Sequence, residues 1–554
     1  MISFDAAHAA VHYPPDRRFR VWIRPSILIT LVAIVLAAVA VPWIQVALWA
    51  LPVISPDLPA AGAVAAPHGF PVWVRYCHFF NLLFVTLLIR SGLSILFDHP
   101  RLYLNDDCTP GSEWIRFTPL EVPRDRLWTA KDDARYLSPI IGTPGYRHTI
   151  GIARAWHFVI VHGFIITGLL YGVMLFDTER WRRLVPTSTH VFTQAWSIWV
   201  HYATFNLPPE PNGFYAYNGL QQISYFAVFF ILGPLAILTG IAMSPAIVNR
   251  FRWYARMFGG RQAARSIHFL SMLSFAAFIV VHVTMVVMTG FVRNMNHIVL
   301  GTDGQSVLGV TLGSAGIAAV VLSWIAAHHV SWHHPRALQH AQKSVTYPMQ
   351  LLTLNRLEPR THYTARDISP FFWPNGKLPV RDDWKNLLES DFRDFKLRVG
   401  GLVENPVELS LEDIERLGTA SHISLHHCIQ GWSGVAQWDG LPMKALIELV
   451  RPKPQVKVVA FFSFGPALYG GTYYDTQSIE NVLKPHCLLA SHMNGQPLSA
   501  VYGAPLRLRV ENQLGYKMVK WIERIEFVES EKHIGKGEGG INEDDEYFDL
   551  LPNI

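Results

Sequence analysis

The sequence predicts two fold classes in one chain: an all-α transmembrane helix bundle of about six spans, followed by an α+β domain. Three observations predict it. Half of the 554 residues are hydrophobic and mean hydropathy is positive, too apolar for an ordinary soluble protein. The long apolar runs are confined to the first 330 residues. After His340 the pattern changes to short β-type runs separated by turn residues. The expected division is therefore 1–340 for the membrane unit and 341–554 for the soluble unit.

The first apolar run, from Ile27 to Ile54, carries no charge and is long enough to span a bilayer. It follows a basic start that includes Arg17 and Arg18, read as a topology anchor in preference to a twin-arginine export signal. Further spans are expected at about 70–97, 155–176, 223–248, 266–292 and 306–330. The mixed segment 188–204 is expected to lie along the interface. Arginines flank alternate loops, at 101–135 and 250–265, and by the positive-inside rule these loops face the cytoplasm. The chain is thus expected in a bacterial inner membrane with its soluble half cytoplasmic, the periplasm being the alternative. The net charge of +5 is small and its arginines cluster beside apolar segments, so a lipid bilayer is the expected partner and nucleic acid is not. Four cysteines without a C-x-x-C pair suggest neither a disulfide framework nor a zinc knuckle.

Three spans open with one phrase: "RYCH" (Arg75, His78), "RAWH" (Arg154, His157) and "RSIH" (Arg265, His268). Span five also carries His282. Histidine inside a membrane is costly and marks function. His268 and His282 are fourteen residues apart, about 40° from four full turns and about 21 Å apart in depth. They share a face, one near each surface. Span direction then pairs His157 with His268 at one depth and His78 with His282 at the other. Two bis-histidine haem sites are the natural reading, with Arg75, Arg154 and Arg265 facing haem propionates. His162 competes with His157 but points about 140° away and lacks the arginine spacing.

With "HFFNLLFVTLLIRSG" and the fourteen-residue spacing, residues 70–300 resemble the di-haem cytochrome b subunits of nickel-iron hydrogenases and formate dehydrogenases. The resemblance implies two b-type haems and exchange of electrons with the membrane quinone pool.

In the second half, "DFKLRVGGLVENPVELSLEDIERL" reads as strand, Gly-Gly turn, short strand and helix. "VKVVAFFSF", "PLRLRVENQ" and "VKWIERIEFVES" read as strands, and "PMKALIELV" as a short helix. Cys428 ends a further strand, "HISLHHC". Locally it is open to several readings: an inert buried thiol, a nucleophile with His426 or His427 as base, or a metal ligand. Zinc is disfavoured because no second cysteine is near. Arg507, Lys517 and Lys520 form a basic set suited to an anionic cofactor, which points to a soft metal carried on a phosphorylated organic ligand.

"CIQGWSGVAQWDGLPMKALI", "NGQPLSAVYGAPLRLRV" and "GYKMVKWI" resemble the molybdopterin-binding domain of the sulfite oxidase family, in the style of its bacterial methionine-sulfoxide-reductase-like members. The resemblance covers about 360–530. It implies a sulfite oxidase-like α+β fold, a molybdopterin-type molybdenum cofactor and Cys428 as catalytic molybdenum ligand. Asn375, Ser463, Arg507, Lys517 and Lys520 would hold the pterin, and Tyr473, Tyr474 and Asp475 would line the pocket or lie in a surface loop. Sulfite oxidases place arginines shortly after the cysteine, whereas this chain has Trp432 there. A neutral oxo-substrate such as a sulfoxide therefore fits better than an anion. The run "GEGGINEDDEYF" is expected to be a solvated tail or lid. The function expected is oxygen-atom transfer coupled to quinone through two haems. The alternatives are a dehydrogenase that reduces quinone, or a haem protein with a non-catalytic binding module.

Overall fold

The computed structural model describes residues 19–53, 69–138, 140–142, 150–206, 213–354, 357, 362–468, 470–548 and 553–554. Arg17, Arg18 and Ile54 lie outside the described residues. Six helices are long and apolar enough to cross a membrane: α1 (Pro25–Trp49), α2 (Val72–Asp98), α3 (Ile150–Asp177), α5 (Gly219–Ala242), α6 (Arg261–Met288) and α7 (Val307–His333). Helix α4 (His190–Ala203) is too short to cross. It lies against α1, with Trp196 donating to Gln45 and Trp199 to the Ala38 carbonyl. Within α5 the Ala227–Leu232 stretch is a π-helix. Pro234 follows it, lacks an N–H, and crowds the preceding turn, which the wider π geometry accommodates.

The soluble half contains two five-stranded sheets. Its strands are β1 (Leu397–Gly401), β2 (Val407–Leu409), β3 (Ala420–His427), β4 (Ser433–Pro442), β5 (Val458–Pro466), β6 (Thr472–Ser478), β7 (Leu488–Met493), β8 (Gln496–Pro497), β9 (Arg507–Arg509) and β10 (Ile522–Val528). One sheet runs β8-β7-β4-β3, with β9 also on β7; the other runs β2-β1-β10-β5-β6. Among the described strands only the β1–β10 pairing is parallel. The strands alternate buried and open positions where one face meets the core, as in the Leu397–Gly401 pattern.

The two halves are joined through their interiors. Tyr103, Cys108, Trp128 and Ala130, from the segment after α2, belong to the apolar cluster that forms the core of the soluble half. Trp373 donates to the Cys108 carbonyl at 2.6 Å, and the Ala130 amide donates to the Pro374 carbonyl at 2.7 Å. Arg101 holds this segment in shape, buried between Glu113 and Asp133 at 2.8 Å each. The expected 340/341 boundary falls inside α8 (Pro335–Met349), whose Leu338 packs with Ile152 and Ala155 of α3. Of the two expectations for the last run, a solvated tail or a lid, solvation does not hold: Asn542, Glu543, Asp544, Tyr547 and Phe548 are all buried. Arg336 and Gln339 of α8 donate to its Glu543, Glu546 and Phe548 carbonyls. Gly151 is needed beneath it, since a Cβ there would lie 2.0 Å from the Tyr547 carbonyl oxygen.

Candidate functional site

The bundle brings the four histidines together in two pairs. The rings of His78 (α2) and His282 (α6) are 6.3 Å apart, and those of His157 (α3) and His268 (α6) are 6.2 Å apart. A metal between two imidazoles needs two bonds of about 2 Å, and each ring centre lies about 1 Å behind its nitrogen, giving about 6 Å. Both separations fit an iron between the rings.

Hydrogen-bond accounting fixes the tautomer of one pair. Ser91 Oγ donates to the Leu87 carbonyl and Thr239 Oγ1 to the Leu235 carbonyl. Each hydroxyl has one proton, so each must accept at its other contact. His157 Nδ1 therefore donates to Ser91 (3.0 Å). His268 Nδ1 lies 3.1 Å from Thr239 and 3.0 Å from the Ala236 carbonyl. Both rings keep an unprotonated Nε2, the form that binds a metal. A glycine follows each hydroxyl and abuts the same ring: Cβ atoms on Gly92 and Gly240 would meet His157 and His268 at 3.6 and 3.7 Å.

The three arginines make contacts of their own with the protein. Arg265 is buried and donates to the carbonyls of Leu96, His99 and Arg101. It satisfies the end of α2, where helix carbonyls lack internal partners. Arg75 donates to the Val299 carbonyl at 2.8 Å. Arg154 lies over the Phe158 ring. Two of the three guanidiniums are thus engaged by main chain.

Cys428 follows β3 directly and begins a turn closed by the Cys428 carbonyl and the Gly431 amide. Gly431 has φ +108°, a left-handed conformation that favours glycine. The turn rests on the first turn of α6. Arg261 and Gln262 donate to the Gly431 carbonyl at 2.9 and 3.0 Å, and a Cβ on Gly431 would meet the Arg265 guanidinium at 3.4 Å. His268 lies one turn further along the same helix.

Asn375 Nδ2 is 3.1 Å from Cys428 Sγ, and Gln430 Oε1 is 3.8 Å from it. Burial pushes the thiol up to about 12, so a thiolate here requires a cation. His426 and His427 are held neutral by burial and face Arg509 and Asn249 instead. Among the described residues no group of three or more His, Cys, Asp or Glu could hold a metal.

Asn375, Ser463, Arg507 and Lys520 line one pocket beside this turn. Lys520 donates to the Asn375 and Val501 carbonyls. Arg507 donates to the Tyr502 carbonyl and stacks on Trp438. Among the described residues neither has a carboxylate within ion-pair distance, and Arg507 Nε has no hydrogen-bond partner. Burial and mutual repulsion depress Lys520 strongly, and burial with Arg509 does the same to Arg507. A buried guanidinium and a half-buried ammonium, neither with an ion-pair partner among the described residues, beside a soft sulfur donor fit an anionic molybdopterin. Ser463 donates to the Lys520 carbonyl and accepts from Gly465, which fixes the backbone that carries Lys520.

Lys517 does not line this pocket. Its ammonium pairs with Asp475, and with Glu543 at 3.0 Å. Two buried carboxylates outcompete an open pocket for a desolvated ammonium. Asp475 is thereby occupied, and Tyr474 bonds Asp544. Of the three residues in that loop only Tyr473 lines the pocket.

The remaining wall was not foreseen. Asp98, Lys131 and Ile150 come from the membrane half, and Asn542, Tyr547 and Phe548 from the docked tail. The membrane half thus brings to this wall a lysine and an aspartate, Lys131 and Asp98. The tail carried one legible signal, two aromatics within an acidic run.

Comparison with known proteins agrees with this architecture. Residues 69–300 match the family described as prokaryotic cytochrome b561, and residues 385–534 match the oxidoreductase molybdopterin binding domain. A putative protein-methionine-sulfoxide reductase subunit YedZ1 from Azospira oryzae is 31% identical over 137 residues, covering 25% of this chain and 50% of that one. The protein-methionine-sulfoxide reductase catalytic subunit MsrP of Xanthomonas axonopodis pv. citri is 35% identical over 144 residues, covering 24% of this chain and 44% of that one. The MsrP of Campylobacter jejuni is 29% identical over 173 residues, covering 29% and 58%. The chain spans about half the length of these curated relatives. Within one polypeptide, a multi-pass membrane region thus resembles the prokaryotic cytochrome b561 family and a following domain resembles the molybdopterin-binding oxidoreductases.

Proposed function

We propose that the chain is a membrane-bound molybdopterin-dependent oxidoreductase with its own b-type cytochrome. It uses reducing equivalents from the quinone pool to reduce a neutral oxo-substrate such as a sulfoxide. Residues 1–340 act as the cytochrome unit and 341–554 as the molybdopterin unit. The observation that carries this reading is the seat of the Cys428 turn on the first turn of α6, the helix that bears His268. The printed names of the relatives, methionine-sulfoxide reductase subunits, support the substrate class.

His78 with His282, and His157 with His268, hold two b-type haems. Cys428 supplies the thiolate to molybdenum, Asn375 donates to that sulfur, and Arg507 and Lys520 hold the anionic end of the pterin. When bound, the molybdenum cofactor supplies two-electron oxygen-atom transfer. The protein excludes water and fixes the sulfur donor and the anion contacts. In this reading the membrane is a bacterial inner membrane, and the arginine count supports a cytoplasmic soluble half.

The test is sulfoxide-dependent reoxidation of dithionite-reduced haems in the purified holoenzyme. We expect rapid reoxidation in the parent. Cys428→Ala should keep its haem spectrum, since a small buried side chain is removed from the other unit, and should lose reoxidation. Unchanged reoxidation in Cys428→Ala would overturn the ligand assignment.

A further inference from the structure

The Asp98–Lys131 pair lies in the same pocket as Asn375, outside the molybdopterin domain match. Gln430 connects it to Cys428: its Oε1 is 3.8 Å from Cys428 Sγ and its Nε2 donates to the Asp98 carbonyl at 3.2 Å. Lys131 Nζ donates to Tyr547 Oη at 3.1 Å and lies 5.7 Å from the Tyr136 ring centre. It sits 3.9 Å from Asp98 Oδ1, while 20% of its side chain remains open. At that distance Asp98 balances the charge without accepting a hydrogen bond. Asp98 is itself 3% exposed, and its Oδ2 is buried with no hydrogen-bond partner.

We propose that Lys131 is the substrate-recognition residue of this pocket: it donates a hydrogen bond to the oxygen of a neutral oxo-substrate, and Asp98 neutralises it so that anions are refused. The proposal rests on the sulfoxide reading given above. A sulfoxide oxygen is a strong, uncharged acceptor and gains from an ammonium N–H at little desolvation cost. An oxyanion entering the same place meets the buried Asp98 carboxylate, and like charges in a water-poor pocket repel strongly. The other charged groups lining the pocket are Lys377, on the loop after Asn375, and Arg507 and Lys520, which face the anionic end of the pterin. Burial and Lys131 both lower the tendency of Lys377 to hold a proton. Asp98 is the one carboxylate among the described lining residues, and it sits beside Lys131. The device also makes selectivity a property of the fused chain, since Asp98 and Lys131 belong to the membrane half.

Binding of two unreactive probes, dimethyl sulfone and sulfate, to the detergent-solubilised holoenzyme by calorimetry tests this without turnover. The parent should bind the sulfone and prefer it to sulfate. Lys131→Met should weaken sulfone binding by about tenfold or more, and Lys131→Arg should restore most of it. Asp98→Asn, which keeps the shape and the main-chain contact to Gln430, should leave sulfone binding within about twofold and tighten sulfate by about tenfold. Sulfone binding equal in parent and Lys131→Met, or sulfate binding unchanged in Asp98→Asn, overturns the proposal. Haem reoxidation by dimethyl sulfoxide, run in parallel, separates the two readings. If it persists while the binding arms fail, only the Lys131 assignment falls. If the parent shows no reoxidation but Lys131-dependent sulfone binding, the functional reading falls.

Discussion

At the scale of single residues, the histidines were the most legible feature of the chain. Arg-x-x-His recurs, and a fourteen-residue interval on one helix fixes both face and depth. Their partners Ser91 and Thr239 were not legible, because a hydroxyl on an apolar helix ordinarily bonds back to its own turn. Both do so here and accept from a ring as well. We expect His268→Ala to remove the haem nearer the soluble half and leave the other, and His282→Ala to do the reverse. Pyridine-haemochrome titration checks this, and two haems retained in either variant would break the pairing. Lys517 shows the opposite case. Its place in a motif identified a basic residue but not the direction of its side chain. Because it is buried between Asp475 and Glu543, Lys517→Ala leaves two buried carboxylates facing each other. The expected result is a loss of about 3–5 kcal/mol of stability, read as a lower unfolding midpoint, with molybdenum content per folded molecule unchanged. Loss of the cofactor without loss of stability would return Lys517 to the pocket.

At the scale of elements, hydropathy located the six membrane helices found among the described residues, with ends displaced by up to six residues. The hydrogen-bonding needs of a lipid-exposed backbone leave little else for such segments to do. Six of the ten described strands of the soluble half were also visible through their β-branched runs, but the two glycines expected to make a turn instead end β1, and the chain reverses after them. The tail failed too, as a solvated segment. Its acidity suggested solvation, yet its carboxylates serve as partners for Lys517 and its carbonyls as acceptors for Arg336 and Gln339. Gly151 is its seat on α3, so Gly151→Ala should displace it, since the new Cβ would overlap the Tyr547 carbonyl. We expect faster proteolysis within residues 530–554 and weaker sulfoxide affinity, with haem content intact. A tail as protected as in the parent would mean that α3 can shift to accommodate the methyl group.

At the scale of the whole molecule, the sequence suggested two units side by side, and the structure has them sharing a core. The contacts responsible, such as Trp373 with Cys108, join residues 265 positions apart, and no local pattern announces them. The same contacts bear on membrane orientation. Arg101, Arg261 and Arg265, counted as topology signals, are buried in polar contacts of the folded chain. Their number therefore reflects docking as well as insertion. All four native cysteines are buried, so Lys444→Cys, on an open helix surface with 70% of the side chain exposed, offers a clean reporter. The cytoplasmic assignment predicts labelling by a membrane-impermeant maleimide only after the inner membrane is broken. Labelling in intact spheroplasts would place the soluble half in the periplasm.

The docked tail also orders events in time. Asp98, Lys131 and Ile150 leave the ribosome early, the Cys428 turn much later, and Asn542, Tyr547 and Phe548 after both. Until that last stretch settles over Gly151, the cleft has one side missing. A bulky prosthetic group would therefore meet the widest opening on a chain whose last described stretch has not yet docked.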